Sequence, residues 1–366
     1  MDSVTQALLG ATAAQVGFRQ KIGRDATWVA AAAAYAPDLD IFVPRIAGWL
    51  GHVDPFMSLT THRALTHSLL MIPAIALLFA AGWALARGAW RKFRLRKLPP
   101  SRPADRPPPT SFGWLLACCL VAVATHAPLD WMTSYGTQLL APITNQRYAL
   151  HAVGIIDLIY TPILILTLLA CWLVRRWRSE SKRITIAIGA AGLVLSSAYL
   201  AAGLGLRFRA IDKALALHQP DEVISVEAYP TIGTILLWRT VIETDEAWIV
   251  TRIHHLDNNP PRFSVLAKAP YRPQLDLARQ TYAYQVYNWF AADKLRVEYD
   301  RAGDATIVRF HDMRYSAGSD SGQSLWPLEV HIDPDGLVAS ARRSHARREG
   351  GLGHFASRLW NDMWDF

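Results

Sequence analysis

Three short polar motifs interrupt the apolar first half of the chain, and they carry the residue types of a metal site. The motifs are PDLD at Pro37–Asp40, THRALTHS at Thr61–Ser68, and the pair His126 and Asp130 within HAPLD. Imidazole and carboxylate groups without thiols are the donors expected for zinc or another divalent ion bound through nitrogen and oxygen. Such an ion lowers the pKa of a bound water and stabilises charge that develops on a phosphoryl or carbonyl oxygen. The motifs therefore indicate metal-dependent hydrolytic chemistry.

The spacing of His126 and Asp130 favours a shared face of one helix. They are four positions apart, which on a helix places their Cβ atoms about 5–6 Å from each other. That separation suits two ligands of one metal, or a histidine that is oriented by a carboxylate. Pro128 lies between them and can distort this turn. The pair can instead be a buried hydrogen bond that closes the helix end.

His62 and His67 are five positions apart, so a continuous helix would point them in different directions. If the helix begins near Thr66, His62 lies in the preceding loop and His67 in the first turn, and both can face one cavity. Arg63 is planar and always charged, which suits a phosphate or carboxylate on a substrate. In the alternative interpretation, His67 and Ser68 only satisfy the helix start, while Arg63 extends to lipid headgroups.

Asp38 and Asp40 are two positions apart in a predicted extended turn, so their side chains are expected to point in different directions. One is predicted to bind metal, and the other to cap a helix or to orient a ligand. The candidate ligands of the three motifs exceed the three protein ligands of a typical catalytic zinc ion. The sequence therefore allows one or two ions.

The elements that must position these motifs are largely apolar. The chain has 366 residues, half of them hydrophobic, with a positive mean hydropathy, which is typical of a membrane protein with a soluble portion. Four segments have the roughly 17–25 mostly apolar residues that cross a bilayer core, and they are Leu65–Ala86, Ser111–Trp131, Ile155–Val174 and Ile184–Leu206. Val4–Phe18 and Ala26–Ala36 are shorter and fit tilted membrane helices or buried core helices. The predicted fold class is a membrane α-helical bundle with four to six membrane-embedded helices.

Lys and Arg in the connecting loops predict how the bundle is oriented. Basic clusters lie within residues 19–24, 87–106 and 175–183, and placing all three in the cytoplasm leaves both termini outside. This threading brings the acids and histidines of five segments to the outer face, which are Asp2 with Gln6, PDLD, THRALTHS, His126 with Asp130, and Asp157. The collection of basic residues in cytoplasmic loops then accounts for most of the positive charge of the chain, formally +8. No nucleic-acid partner is therefore expected.

The residue types and their periodicity change from Glu222 onward. Short runs of β-branched and aromatic residues alternate with polar ones, and Asn, Asp, Gly and Pro separate the runs. Residues 1–206 are therefore predicted to be a helical membrane domain that carries the metal site. Residues 207–366 are predicted to be a mainly β extracytoplasmic domain with helix near Ala278–Ala292. His254 and His255 are interpreted as a surface feature in preference to a second metal site.

The quoted motifs, PDLD, HRALTHS and HAPLDWMTSYGTQLLAP, resemble those of the YdjM family of inner-membrane, metal-dependent hydrolases over about residues 1–175. That family is distantly similar to the zinc-dependent phospholipase C and P1-nuclease group of helical phosphoester hydrolases. The resemblance implies Arg63 and Thr133 around a set of metal ligands, which are Asp38, Asp40, His62, His67, His126 and Asp130. Two positions depart from the family pattern, because Gln6 stands where many relatives have histidine and Ile41 where some do.

Together these observations predict a multi-pass hydrolase of the bacterial inner membrane, with its C-terminal domain outside the cytoplasm. The expected cofactor is a divalent metal, zinc first, as one or two ions. The expected partners are membrane lipids, and the substrate is a phosphoester of a lipid or lipid-linked molecule. Asp38 or Asp40 would act as base, with Arg63 and Thr133 beside the reacting groups. The alternative is a non-enzymatic membrane scaffold or lipid-binding protein whose His/Asp cluster is structural.

Overall fold

The computed structural model describes residues 1–96, 111–177, 182–257, 259–315 and 322–344. The chain folds into two compact units. The helical unit comprises Met1–Phe42, Arg63–Ala149 and Leu158–Leu200. The β unit comprises Val43–His62, Leu150–Asp157 and Ala201–Phe366. Two short segments of the N-terminal half therefore belong to the β unit. Parts of the basic clusters that predict the topology, residues 97–106 and 178–181, lie outside the described residues.

The helices of the described residues vary from single turns to ten turns. They are α1 Ser3–Gln15, α2 Phe18–Ile22, α3 Asp25–Tyr35, α4 Val43–Trp49, α5 Met57–Thr61, α6 Ile72–Arg96, α7 Phe112–Trp131, α8 Tyr160–Trp177, α9 Lys182–His218, α10 Gln274–Arg279 and α11 Tyr282–Phe290. Shorter 3-10 turns cover Ala36–Phe42, Leu65–His67 and Leu69–Met71. The first of these turns contains PDLD, and the second forms the Leu65–His67 part of THRALTHS.

Three helical segments among the described residues are long and apolar enough to cross a membrane, namely Leu69–Trp90, Phe112–Trp131 and Lys182–His218. They correspond to the first, second and fourth predicted spans, so the helical membrane part is confirmed. The third predicted span forms the 18-residue helix α8, which is not among the three. The predicted count of four to six membrane helices is therefore not confirmed.

Small side chains let the helices of the helical unit approach one another closely, as is common in membrane bundles. Helix α3 presents Ala30, Ala33 and Ala34, which are at most 1% exposed. Gly10 of α1 lies against this face. A Cβ atom on Gly10 would lie 2.5 Å from the Cβ of Ala34 and 2.6 Å from the carbonyl oxygen of Ala30. The contact therefore requires glycine.

Replacing Gly10 with alanine should force α1 and α3 apart and destabilise the helical unit by about 1–3 kcal/mol, as overpacking of a close-packed core does. The measurement is the thermal unfolding midpoint of the purified protein in detergent. Gly82→Ala in α6 is the matched control, because a Cβ there meets nothing within 4 Å. Equal midpoints for the two variants would contradict the close approach of α1 and α3.

The β unit contains two four-stranded antiparallel sheets with strand orders β1-β2-β3-β4 and β5-β6-β7-β8. The strands are β1 Ser225–Pro230, β2 Leu237–Glu243, β3 Ala247–His254, β4 Phe263–Ala267, β5 Leu295–Ala302, β6 Ala305–Asp312, β7 Leu328–Ile332 and β8 Val338–Arg343. Helices α10 and α11 lie between the two sheets in sequence, where helix was predicted. The mainly β character of the C-terminal half is therefore confirmed.

The C-terminal part of α9 packs on the first sheet of the β unit. Ala210 of α9 forms one buried cluster with Trp238 and Ile253 of the sheet. His255, just beyond β3, fixes the same helix, because its Nε2 lies 2.9 Å from the carbonyl oxygen of Leu206. His255 is thus half-buried, whereas the sequence predicted a surface feature.

Candidate metal centre

Four buried side chains of the helical unit bring one potential metal-binding atom each to a common point. They are Asp38, His67, His126 and Asp130, and these atoms all lie within 4.8 Å of one another. His67 Nε2 lies 3.3 Å from both Asp38 Oδ1 and Asp130 Oδ2. His126 Nε2 lies 3.4 Å from Asp38 Oδ1 and 3.5 Å from Asp130 Oδ2. Ligand atoms about 2.0–2.1 Å from a tetrahedral ion lie roughly 3.3–3.4 Å apart, and these four distances are close to that value.

Three separate elements deliver these four side chains. Asp38 lies on the 3-10 turn that continues α3, and His67 on the 3-10 turn before α6. His126 and Asp130 lie on the last turns of α7, which runs through Pro128 to Trp131. The i,i+4 spacing therefore places both side chains on one helix face as predicted.

Hydrogen bonds on the far edge of each imidazole fix its orientation. His126 Nδ1 lies 2.6 Å from the carbonyl oxygen of Ala34. Because a carbonyl oxygen only accepts, Nδ1 of His126 carries a proton, and Nε2 is the ring atom that faces the carboxylates. His67 Nδ1 lies 3.2 Å from Asp40 Oδ2 and 3.0 Å from Thr66 Oγ1. Its Nε2 is then likewise directed at the common point.

Asp40 is buried and supports His67 without belonging to the four-residue group. Its Oδ2 also accepts the backbone N–H of Arg63 and the hydroxyl of Thr66, both at 3.0 Å. The expectation of an extended turn at PDLD is wrong, because Ala36–Phe42 is a 3-10 helix. The two acids still take different positions, since Asp38 faces Nε2 of His67 while Asp40 faces Nδ1.

Replacing Asp40 with asparagine should weaken metal binding about 10- to 100-fold, the usual effect of losing a carboxylate that orients a ligating histidine. The amide keeps the size of the side chain, so the fold should persist. The measurement is a competition titration with a chromogenic chelator. Asp54→Asn, which changes an acid of the β unit, is the control and should leave the affinity unchanged. An unaltered affinity in Asp40→Asn would contradict the orienting role.

Asp130 is held by groups from three parts of the helical unit. Its Oδ2 lies 3.2 Å from Arg63 Nε, and its Oδ1 accepts the side-chain amide of Gln6 at 2.9 Å. The amino group of Met1 also donates to Oδ1. These contacts of Gln6 and Met1 were not predicted, although Gln6 was noted as a departure from the family pattern. Asp130 is therefore fixed through both of its carboxylate oxygens.

Arg63 is buried beside the metal-binding group. Its Nη1 donates to Thr133 Oγ1 at 2.7 Å, and its guanidinium lies 5.0 Å from the ring centre of Tyr135. Thr133 in turn donates to the carbonyl oxygen of Asp130 at 2.8 Å. The two predicted auxiliary residues, Arg63 and Thr133, therefore form one network with Asp130.

His62 is not part of the group of four within the described part of the chain. It follows α5 with an extended backbone (φ −71°, ψ 130°), and Arg63 next to it has φ +58°. This left-handed residue changes the chain direction between His62 and His67. The structure thus brings His67 to the site without bringing His62.

The chemistry of the site fits a cation. Among the described residues, buried polar atoms without a hydrogen-bond partner include Asp38 Oδ2 and His126 Nε2. Burial raises the pKa of Asp38, but the adjacent imidazoles of His126 and His67 outweigh burial and hold its pKa well below the ordinary value. Asp38 is therefore a carboxylate at neutral pH. Two imidazoles and two carboxylates form a nitrogen and oxygen donor set that suits a divalent ion.

The helices and this buried group define a membrane protein that can hold a metal ion. Residues 1–207 match the YdjM inner membrane protein family, and the chain belongs to that family. The match includes all four residues of the group. No curated protein and no solved structure shows significant similarity to the chain.

Proposed function

We propose that the chain is a metal-dependent hydrolase of the inner membrane that cleaves a phosphoester of a lipid or lipid-linked molecule. The observation that carries the proposal is the buried group of Asp38, His67, His126 and Asp130, whose spacing suits one ion. Zinc is the metal that best suits two imidazoles and two carboxylates. When bound, it would lower the pKa of a water and stabilise negative charge on a phosphoryl oxygen.

The side chains around the ion have different roles in the proposed reaction. Asp38 directs Oδ1 at both imidazoles, while its Oδ2 has no hydrogen-bond partner. This second oxygen is suited to take a proton from the attacking water. Asp40 holds His67, and Arg63 holds Asp130 while adding positive charge for a phosphate. These roles replace the earlier alternative in which Asp40 was the base.

The surface around the two 3-10 turns supports a lipid-like substrate. In residues 38–41, the buried Asp38 and Asp40 alternate with Leu39 and Ile41, which are 49% and 47% exposed. Beside the buried His67, Leu69 and Leu70 are 45% and 55% exposed. Exposed apolar residues in such concentration are typical of membrane or ligand contact. A substrate with acyl or isoprenoid chains could lie against them while its phosphoester reaches the metal group.

The proposed topology places the site near the outer headgroups. It rests on the three basic clusters, which the positive-inside rule assigns to the cytoplasm. In this arrangement the chain crosses the membrane several times, and both termini and the β unit are extracytoplasmic. Cysteine substitutions at exposed positions of the β unit, such as Leu337→Cys, should then react with a membrane-impermeant maleimide in intact spheroplasts. Labelling that requires lysis would contradict the topology.

The activity is tested with protein in lipid nanodiscs and two substrates, bis-p-nitrophenyl phosphate and a fluorescent phospholipid. We expect hydrolysis that a chelator removes and that zinc restores, with the phospholipid as the better substrate. The control is Asp38→Asn, which keeps the size of the side chain but removes its charge. Rates that are equal with and without metal, or equal in Asp38→Asn, would overturn the proposal.

A structural metal site is the second candidate, and one observation favours it. Four protein donors would complete a tetrahedral shell, as in structural zinc sites, whereas catalytic sites commonly use three. In that case the protein is a membrane scaffold or lipid-binding protein. It would purify with metal, show no hydrolysis, and unfold when the metal is removed.

A further inference from the structure

The β unit contains a cavity of about 750 Å³ beside the C-terminal part of α9. Helix α9 contributes Lys213 and Leu217 to its wall, the end of β3 contributes Arg252 and His254, and the following loop contributes Arg262. The volume lies within the range of ligand sites for small molecules, about 300–1,000 Å³. The residues that line the cavity all lie beyond residue 207, where the family match ends.

The lining is strongly basic. It contains three cationic side chains and one acidic side chain, which are Lys213, Arg252, Arg262 and Asp257. Arg252 donates its backbone N–H to the carbonyl oxygen of Arg262 at 3.0 Å, so the two arginines are neighbours across the strands. Adjacent cations lining a concave surface create a positive potential that attracts anions. Arginine and lysine together are the usual partners of phosphate.

The described residues on this side of the cavity make contacts of their own. Asp257 accepts the backbone N–H of Asn259 at 2.8 Å. Pro260 and Pro261 restrict the backbone. His255 contacts α9 through the carbonyl oxygen of Leu206, 2.9 Å from its Nε2. These contacts and the two prolines restrict the residues that line the cavity on this side.

The wall of the cavity is apolar where the rim is charged. Of the apolar residues that line it, Leu217 is 46% exposed and accessible to a ligand, whereas Leu237 and Ile253 are at most 2% exposed. Lys213 lies seven residues beyond Leu206, the end of the predicted span, or about 10 Å along a helix. For a span that ends at Leu206, as predicted from the sequence, this is the depth at which the headgroups of a bilayer lie.

We propose that this basic cavity binds the phosphate of an anionic membrane amphiphile. The cationic rim holds the phosphate, and the apolar wall accepts the first carbons of its chains. Binding here anchors the β unit to anionic lipid, independently of any hydrolysis at the metal centre. The proposal goes beyond the proposed function, and neither requires the other.

The test is a titration of the full-length protein in neutral detergent with dihexanoyl phosphatidylglycerol, dihexanoyl phosphatidylcholine or inorganic phosphate. The variant is the double substitution Lys213→Ala and Arg262→Ala, and both residues are exposed. The matched control is Arg209→Ala with Arg301→Ala, which removes the same charge from exposed positions that do not line the cavity.

We expect saturable binding of phosphatidylglycerol that the double variant weakens about 25-fold, since each basic residue near a lipid surface contributes a factor of about five. The control should stay within twofold of the wild type, and phosphatidylcholine should bind more weakly. Equal loss in variant and control would overturn the site. Inorganic phosphate that binds as tightly as phosphatidylglycerol would overturn the assignment to a lipid. The metal content of the double variant should be unchanged, which separates this result from any failure at the metal centre.

Discussion

Replacing His126 with alanine is expected to remove the bound metal and to lower hydrolysis by on the order of 1,000-fold, because a metal supplies several kcal/mol of transition-state stabilisation. His126 is a strong choice because its Nε2 contacts both Asp38 and Asp130, at 3.4 and 3.5 Å. Its ring is fixed by the carbonyl oxygen of Ala34, 2.6 Å from Nδ1.

The measurements are metal content by mass spectrometry and the initial rate with the phospholipid substrate. His52→Ala is the matched control, because it removes an exposed imidazole of the β unit. It should keep both metal and activity. If His126→Ala retained a stoichiometric ion, the assignment of the metal ligands would be wrong.

Replacing Asp130 with alanine is expected to lower the free energy of unfolding by about 3–5 kcal/mol, even in metal-free protein, since it leaves a buried cation without its counter-ion. The cation is the guanidinium of Arg63, whose Nε contacts this carboxylate. The amino group of Met1 and the side-chain amide of Gln6 also lose their acceptor. The measurement is thermal unfolding in detergent with a chelator present, so that metal loss does not contribute.

A double-mutant cycle identifies the cause of this effect. If the loss comes from the uncompensated charge, adding Arg63→Gln to Asp130→Asn should cost less than the sum of the two single changes. Additive costs would instead indicate that Asp130 acts through packing alone. An Asp130→Ala variant as stable as the wild type would contradict the buried charge network.

The local spacing of the sequence predicts part of the site well. His126 and Asp130 are four positions apart on one helix, so helix geometry alone places them together. The convergence of Asp38 and His67 with this pair was predicted from the topology that the lysines and arginines of the loops favour. Both lie on 3-10 turns at element ends, where polar motifs between apolar helices were the available signal.

Other parts of the site depend on features that leave no local signal. The carbonyl oxygen of Ala34 orients His126, but a backbone acceptor cannot be recognised from an alanine. The spacing of His62 and His67 left two interpretations open. Of the two histidines, His67 belongs to the group of four, and the chain turns between them at Arg63, whose backbone is left-handed. The position of Gln6 against Asp130 depends on how α1 packs, and the close approach of α1 and α3 at Gly10 was not predicted.

As in the site, some features of the fold could be predicted from local sequence patterns, and others depend on contacts between residues far apart in the chain. Period-two patterns predicted the strands of the C-terminal half, and apolar length predicted three helices that can cross a membrane. The assignment of Val43–His62 to the β unit depends on long-range contacts, such as the bond from Tyr282 to Asp54 at 2.9 Å. Such contacts between distant residues have no periodic signature in the sequence.

X-ray absorption at the metal edge of the purified wild-type protein tests the central claim most directly, combined with its metal content. The account predicts one divalent ion per chain, bound by nitrogen and oxygen atoms with the scattering pattern of two imidazoles and with no sulfur ligand. A protein that purifies without stoichiometric metal and takes up none on titration, or an ion bound through sulfur, would contradict it.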